Sequence, residues 1–102
     1  MTDSEKIVIT VESDLEDLVP EFIEHKRENA EEILGCLQKG DYEKITMFGH
    51  RMKGAGAGYG FDFITEMGKV IEQGGKDRND EQIKKSVDDL VAYLGRVEVV
   101  YE

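Results

Sequence analysis

The sequence predicts an all-α protein: an antiparallel four-helix bundle with a short extended N-terminal arm. Three observations predict it. Four stretches carry apolar residues at three- and four-residue steps, short glycine-marked or polar breaks separate them, and no convincing pair of strands competes. A chain of 102 residues, 39% hydrophobic and 35% charged, has room for one packed core and not for two of typical size. Proline occurs once, at Pro20, and no linker, repeat or low-complexity tract interrupts the chain. Residues 1–13 therefore read as the arm and 14–102 as a single bundle domain.

The elements follow in order. Lys6 to Val11 and Val97 to Tyr101 are both rich in β-branched residues and favour extended backbone. The two are candidates to pair, but a lone strand leaves its backbone unsatisfied, so the preferred reading is an arm laid over the bundle. The first helical stripe comprises Leu15, Leu18, Val19, Phe22, Ile23, Ala30, Ile33, Leu34 and Leu37. Ser13 and Glu16 have capping-box spacing, Pro20 fits a first turn or kinks a short leading turn, and Gly40 ends the helix behind Lys39. A second helix begins at the N-cap candidate Asp41, carries Ile45, Phe48, Gly49 and Met52 on one side, and enters a run of alternating glycines from Gly54 to Gly60. The third starts at Phe61 or Asp62, bears Phe63, Ile64, Met67, Val70 and Ile71, and is expected to stop at Gly74-Gly75. Asn79 and Asp80 compete to cap the fourth, whose stripe is Ile83, Val87, Leu90, Leu94 and Val97.

Charge narrows the function. Thirteen Lys and Arg against 23 Asp and Glu give a net charge of -10, which repels nucleic acid and anionic lipid. Cys36 is the single cysteine, so neither a disulfide scaffold nor a multi-cysteine zinc site is available within the chain, and a reducing compartment fits. No stretch approaches the roughly 20 apolar residues that span a bilayer, and Met1 to Glu5 lack a signal-peptide plan. A cytoplasmic protein that binds neither nucleic acid nor membrane is expected.

Within the second helix, a turn of about 100° per residue puts His50 roughly 140° from Ile45, facing solvent. Lys53, Gly54 and Ala57 lie on the same arc, so a titratable imidazole is flanked by a cation and by residues with almost no side chain. Glycine inside a helix costs up to about 1 kcal/mol relative to alanine unless close packing or a close-approaching partner compensates. Helix packing or turning accounts for Gly56, Gly58 and Gly60 better than for Gly54.

The segment His50-Arg51-Met52-Lys53-Gly54, followed by Tyr59-Gly60-Phe61 and then Glu72, resembles the signature of histidine phosphotransfer (HPt) domains, which shuttle phosphoryl groups in two-component phosphorelays. It is also similar to the phosphorylated domain of chemotaxis histidine kinases. The likeness spans roughly Leu18 to Val97. It implies that His50 is the phosphoryl acceptor through Nε2, that Lys53 neutralises the phosphoryl oxygens, that Gly54 clears space for the partner, and that Glu72 is a carboxylate held against the histidine. Other members place an amide near that last position, and Ser or Ala are commoner where Gly54, Gly56, Gly58 and Gly60 alternate. Chemistry agrees with these roles. A carboxylate accepting from Nδ1-H fixes the tautomer and stabilises the cation that develops as Nε2 attacks. A nearby ammonium offsets the added negative charge. Arg51 and Lys69 are weaker candidates for that duty.

Other chemistries fall behind. The glycine run contains no Gly-x-Gly-x-x-Gly and no Gly-Lys-[Ser/Thr] loop, so no phosphate cradle supports ATP binding or autonomous kinase activity. Asp77 to Glu81 lack the EF-hand offsets, and the carboxylates around His25 repeat as on any exposed helix face. No metal or cofactor is expected on this chain, and the resemblance places Mg²⁺ on the partner receiver. Cys36 reads as a small buried or half-buried hydrophobe, since no basic neighbour marks it as reactive. Tyr42, Met47 and Tyr59 are candidate partner contacts, with packing the stronger expectation for Tyr59.

The resulting expectation is a monomeric phosphoryl carrier. His50, Lys53 and Glu72 do the chemistry, Met47, Arg51, Gly54 and Ala57 meet the partner, and the partners are a response-regulator receiver domain and a histidine kinase. The alternative is a non-catalytic helical module that binds a receiver or another protein through the same face. Excision from a larger hybrid kinase is a third possibility, against which Met1 and the complete set of helices argue mildly.

Overall fold

The computed structural model describes residues 6–102. They form β1 (Ile7–Val11), a 3₁₀ turn (Ser13–Leu15), α1 (Val19–Lys39), α2 (Tyr42–Tyr59), α3 (Asp62–Asp77), α4 (Asp80–Arg96) and β2 (Val97–Tyr101). Each helix packs against its two neighbours in the cyclic order α1, α2, α3, α4, so the four close into a bundle with the α1/α4 side opposite the α2/α3 side. All four stripes contribute to the core, although Leu18 and Leu34 of the first remain exposed. Ile33, Ile45, Ile64, Ile71, Ile83, Val87 and Leu90 are wholly enclosed, each contributing about 1.5–3 kcal/mol by leaving water. At one end, Phe22 of α1 stacks on Tyr59, ring centroids 4.2 Å apart, and on Phe61 at 5.3 Å, which ties the first turn of α1 to the α2–α3 junction.

Local chemistry explains most boundaries. Gly40 and Gly60 take left-handed backbone at φ 70° and 82° and end α1 and α2. The Asp41 carboxylate accepts from the Lys44 amide at 3.2 Å, and Asn79 Oδ1 from the Gln82 amide at 3.1 Å, so Asn79 rather than Asp80 caps α4. Pro20 occupies the first turn of α1, where its missing N–H costs nothing.

Three expectations need correcting. Ser13 and Glu16 form no capping box: they belong to the separate 3₁₀ turn, where the Glu16 amide bonds the Ser13 carbonyl at 3.1 Å, and α1 begins later without a side-chain cap. Gly74 and Gly75 do not stop α3. Both are buried, a Cβ at Gly74 would meet Ile83 Cγ1 at 2.9 Å and one at Gly75 would meet the Thr46 amide nitrogen at 2.8 Å, and the helix runs on until Arg78 turns left-handed at φ 54°. Close packing has outweighed the local cost of glycine.

The third correction concerns the arm. It is extended and lies on the core through Ile7, Ile9 and Val11, but it is not alone. β1 pairs in parallel with β2, Ile7 opposite Val97 through Val11 opposite Tyr101, and the Ser13 amide reaches the Glu102 carbonyl at 2.8 Å. The ladder satisfies backbone groups that an isolated strand would leave open. The first five residues of the predicted arm lie outside the described part. No helix described is long and apolar enough to cross a membrane.

Candidate functional site

The site is built on a seam of glycines. Gly49 and Gly56 on α2 recur at seven residues, as do Gly68 and Gly75 on α3, and all four are buried. A Cβ at Gly68 would lie 2.5 Å from the Lys53 amide nitrogen and 2.8 Å from the Gly49 carbonyl oxygen. One at Gly49 would lie 2.7 Å from the Glu72 Cα, and one at Gly56 2.7 Å from the Thr65 amide nitrogen. Backbone therefore meets backbone along α2 and α3, closer than helices with side chains between them can approach.

That approach delivers Glu72 to α2. Its Oε2 lies 3.2 Å from His50 Nδ1, its Oε1 accepts from Lys53 Nζ at 3.0 Å, and Lys76, one turn along α3, comes to 3.8 Å. The carboxylate is the sheltered member: its side chain is 14% exposed, against 68% for His50 and 36% for Lys53. The Lys53 ammonium holds the Glu72 carboxyl below the usual carboxylate range, with the His50 contact and Lys76 adding to it and partial burial opposing. A carboxylate in this state accepts from Nδ1-H, an assignment of tautomer that leaves the ring lone pair on Nε2. No described residue bonds Nε2.

The remaining predicted residues divide. Met47, Gly54 and Ala57 are exposed and fall within about 60° of His50 around α2, and a Cβ at Gly54 would meet nothing within 4 Å. They form one open strip around the imidazole. Arg51 is exposed and without a partner among the described residues, whereas Lys69 pairs with Glu66 at 3.2 Å. Gly58 also faces open space, so neither close packing nor a turn explains it. Tyr42 is engaged at the α3–α4 turn: its hydroxyl donates to Asp80 at 2.6 Å, and the Arg78 guanidinium sits 5.7 Å from its ring centroid. Cys36 is half-buried as expected, but Lys39 and Lys44 line the same hollow, and Lys44 comes from a different helix.

The sequence reading placed Gly49 on the packed side of α2, as found, but missed Lys76 and the partner glycine of Gly49, Gly68. The signals existed: Glu72 and Lys76 stand at i, i+4, and the paired seven-residue glycine spacing marks a close helix contact. No family model, curated protein or solved structure matches this chain.

Proposed function

We propose that this chain is a histidine phosphotransfer protein of a two-component phosphorelay, accepting a phosphoryl group on His50 and passing it to or from a receiver-domain aspartate. The observation that carries the reading is the shared carboxylate, with Glu72 3.2 Å from His50 Nδ1 and 3.0 Å from Lys53 Nζ while Nε2 stays open. The resemblance around His50-Arg-Met-Lys53-Gly54 supports it independently of that geometry.

In the proposed step the Nε2 lone pair attacks phosphorus in line. The N–P bond forms as the P–O bond to the aspartate breaks, and that electron pair leaves on the aspartate carboxylate. The imidazole becomes cationic, and Glu72, already hydrogen-bonded to Nδ1-H, stabilises the new charge without moving. Lys53 offers its ammonium to the phosphoryl oxygens, one helical turn from the ring. Mg²⁺ sits in the acidic pocket of the receiver, and this chain supplies the nucleophile. Met47, Arg51, Gly54 and Ala57 form the contact strip, and a cytoplasmic receiver and histidine kinase are the partners of a monomer.

The test is incubation of wild type and His50→Gln with phosphorylated receiver domains and Mg²⁺, reading acid-labile, base-stable label on this chain. Label on wild type alone is the expected result. Receiver binding without label from any donor would replace the proposal with a non-catalytic interaction module.

A further inference from the structure

The α1/α4 side of the bundle, opposite the His50 seam, is open and acidic. Two hollows lie along it. One, of about 280 Å³, is lined by Leu34, Leu37 and Gln38 of α1 and by Asp80 and Lys84 of α4. The other, of about 300 Å³, is lined by Glu24, Arg27, Glu28 and Glu31 of α1 and by Val91 of α4. On α1 Glu24, Glu28, Glu31, Leu34 and Gln38 step by three or four, and on α4 Lys84 and Val91 are two turns apart, so the hollows follow one another along one face.

Two features mark the groove as a docking surface rather than loose packing. Leu34 and Val91 stay 38% and 45% exposed there, and Val91 is the one helical valine or isoleucine among the described residues that is neither buried nor half-buried. The rim is also mainly acidic at the Val91 end, with three carboxylates around the one guanidinium of Arg27. Arg27 donates to the Leu94 carbonyl at 3.1 Å and pairs with no carboxylate, and the exposed Glu24, Glu28 and Glu31 make no ion pair among the described residues. Asp88, on the exposed strip between Lys84 and Val91, adds a fourth carboxylate.

The geometry points to this groove as the docking site for a basic amphipathic helix of a partner protein. Its apolar residues, at i, i+3/i+4 and i+7, cover Leu34 and Val91, and its Lys or Arg flank meets Glu24, Glu28 and Glu31. Charge selects that occupant. A second copy of this chain would bring another -10 against the same rim, and nucleic acid or an anionic membrane is repelled in the same way. The site lies across the bundle from His50, so a partner held here leaves the imidazole free.

The probe is a synthetic helix-forming peptide with leucines at that spacing and lysine flanks, compared with the same peptide carrying glutamate flanks. Both are titrated into the isotopically labelled protein and followed by amide NMR. Saturable shifts centred on Leu34, Lys84 and Val91 are expected with the basic peptide only. Binding is expected to weaken about tenfold at high salt and in the exposed charge-reversal pair Glu28→Lys and Glu31→Lys, with helical content unchanged. Shifts centred on α2, equal binding of the acidic peptide, or no saturable shift would overturn the assignment. So would a wild-type dimer in sedimentation that Val91→Asp dissolves, since that gives the groove to a second copy.

Discussion

The two long sides of this bundle are held together differently. Between α2 and α3 the contact positions are glycine, and the backbones touch. Between α1 and α4 they are leucine, valine and long charged side chains, and hollows of about 280 and 300 Å³ remain. The lesson is that side-chain size at the contact sets the precision of what a surface can carry. The glycine seam holds two functional groups of α2 within hydrogen-bond distance of one carboxylate of α3, which a looser contact would not reproduce.

The sharpest way to break this contrast is Gly68→Ala. Its methyl group has only backbone to displace, so the helices must separate, at a cost of about 3 kcal/mol. Thermal melting should fall by about 15 °C, and NMR should show Glu72 released from Lys53. Glu72→Gln keeps the seam and removes only the charge. In the proposed transfer it should slow phosphoryl acceptance by about tenfold or more, measured as single-turnover label on His50.

The same carboxyl has a pH signature. Its value in the fold lies below the ordinary one, so the contact contributes fully above the ordinary glutamate range and is lost only as pH falls through the lowered value. A carboxyl-carbon NMR titration of Glu72 should therefore run below the ordinary glutamate range, and a midpoint within that range would break the contrast.

On the α1 side the effects reverse in sign. Lys26 is only 8% exposed, its ammonium rests on Asn29 at 2.9 Å and near the Phe22 ring, and burial lowers its pKa. The fold thus disfavours its charged form, a cost present at neutral pH and relieved as pH rises through the lowered value. Lys26→Met should stabilise by about 1 kcal/mol at neutral pH, with the advantage over wild type shrinking in alkaline denaturation curves. Gly58→Ala, in open space on the same helix as the seam glycines, should stabilise by about 0.5–1 kcal/mol. Opposite signs at Gly58 and Gly68 in chemical denaturation would confirm that packing, not helix propensity, governs the seam. Val91→Ser, last and smallest, should move stability by no more than about 0.5 kcal/mol.

Much of this is legible in the sequence. The four apolar stripes, the cap at Asp41, the left-handed Gly40 and Gly60, and the outward set of His50 all follow from rules that act within a few residues. What failed was non-local. Gly74 and Gly75 read as a stop because nothing in their own helix compensates two glycines. The compensation sits on Ile83 and Thr46, in other elements. The spacing of Gly68 from Gly75 marks a close contact without naming what lies across it, and the role of Gly68 exists only opposite Lys53. The β1–β2 pairing was visible as two β-branched segments, but strand partners at opposite ends of a chain share no sequence signal that joins them. Glu72 stood out through its resemblance to a family pattern, whereas its sharing between His50 and Lys53 required the seam.

The terminal ribbon has a mechanical consequence. Because β1 and β2 run parallel, with Ile7 beside Val97 and Val11 beside Tyr101, the chain enters at one end of the ribbon and leaves at the other. Tension applied to the two termini pulls the strands along their length in opposite directions. Their hydrogen bonds are then loaded together in shear, not peeled one by one as in a hairpin. A helical bundle, ordinarily easy to unravel from its ends, is here fastened by a clasp that must rupture before any helix feels the load.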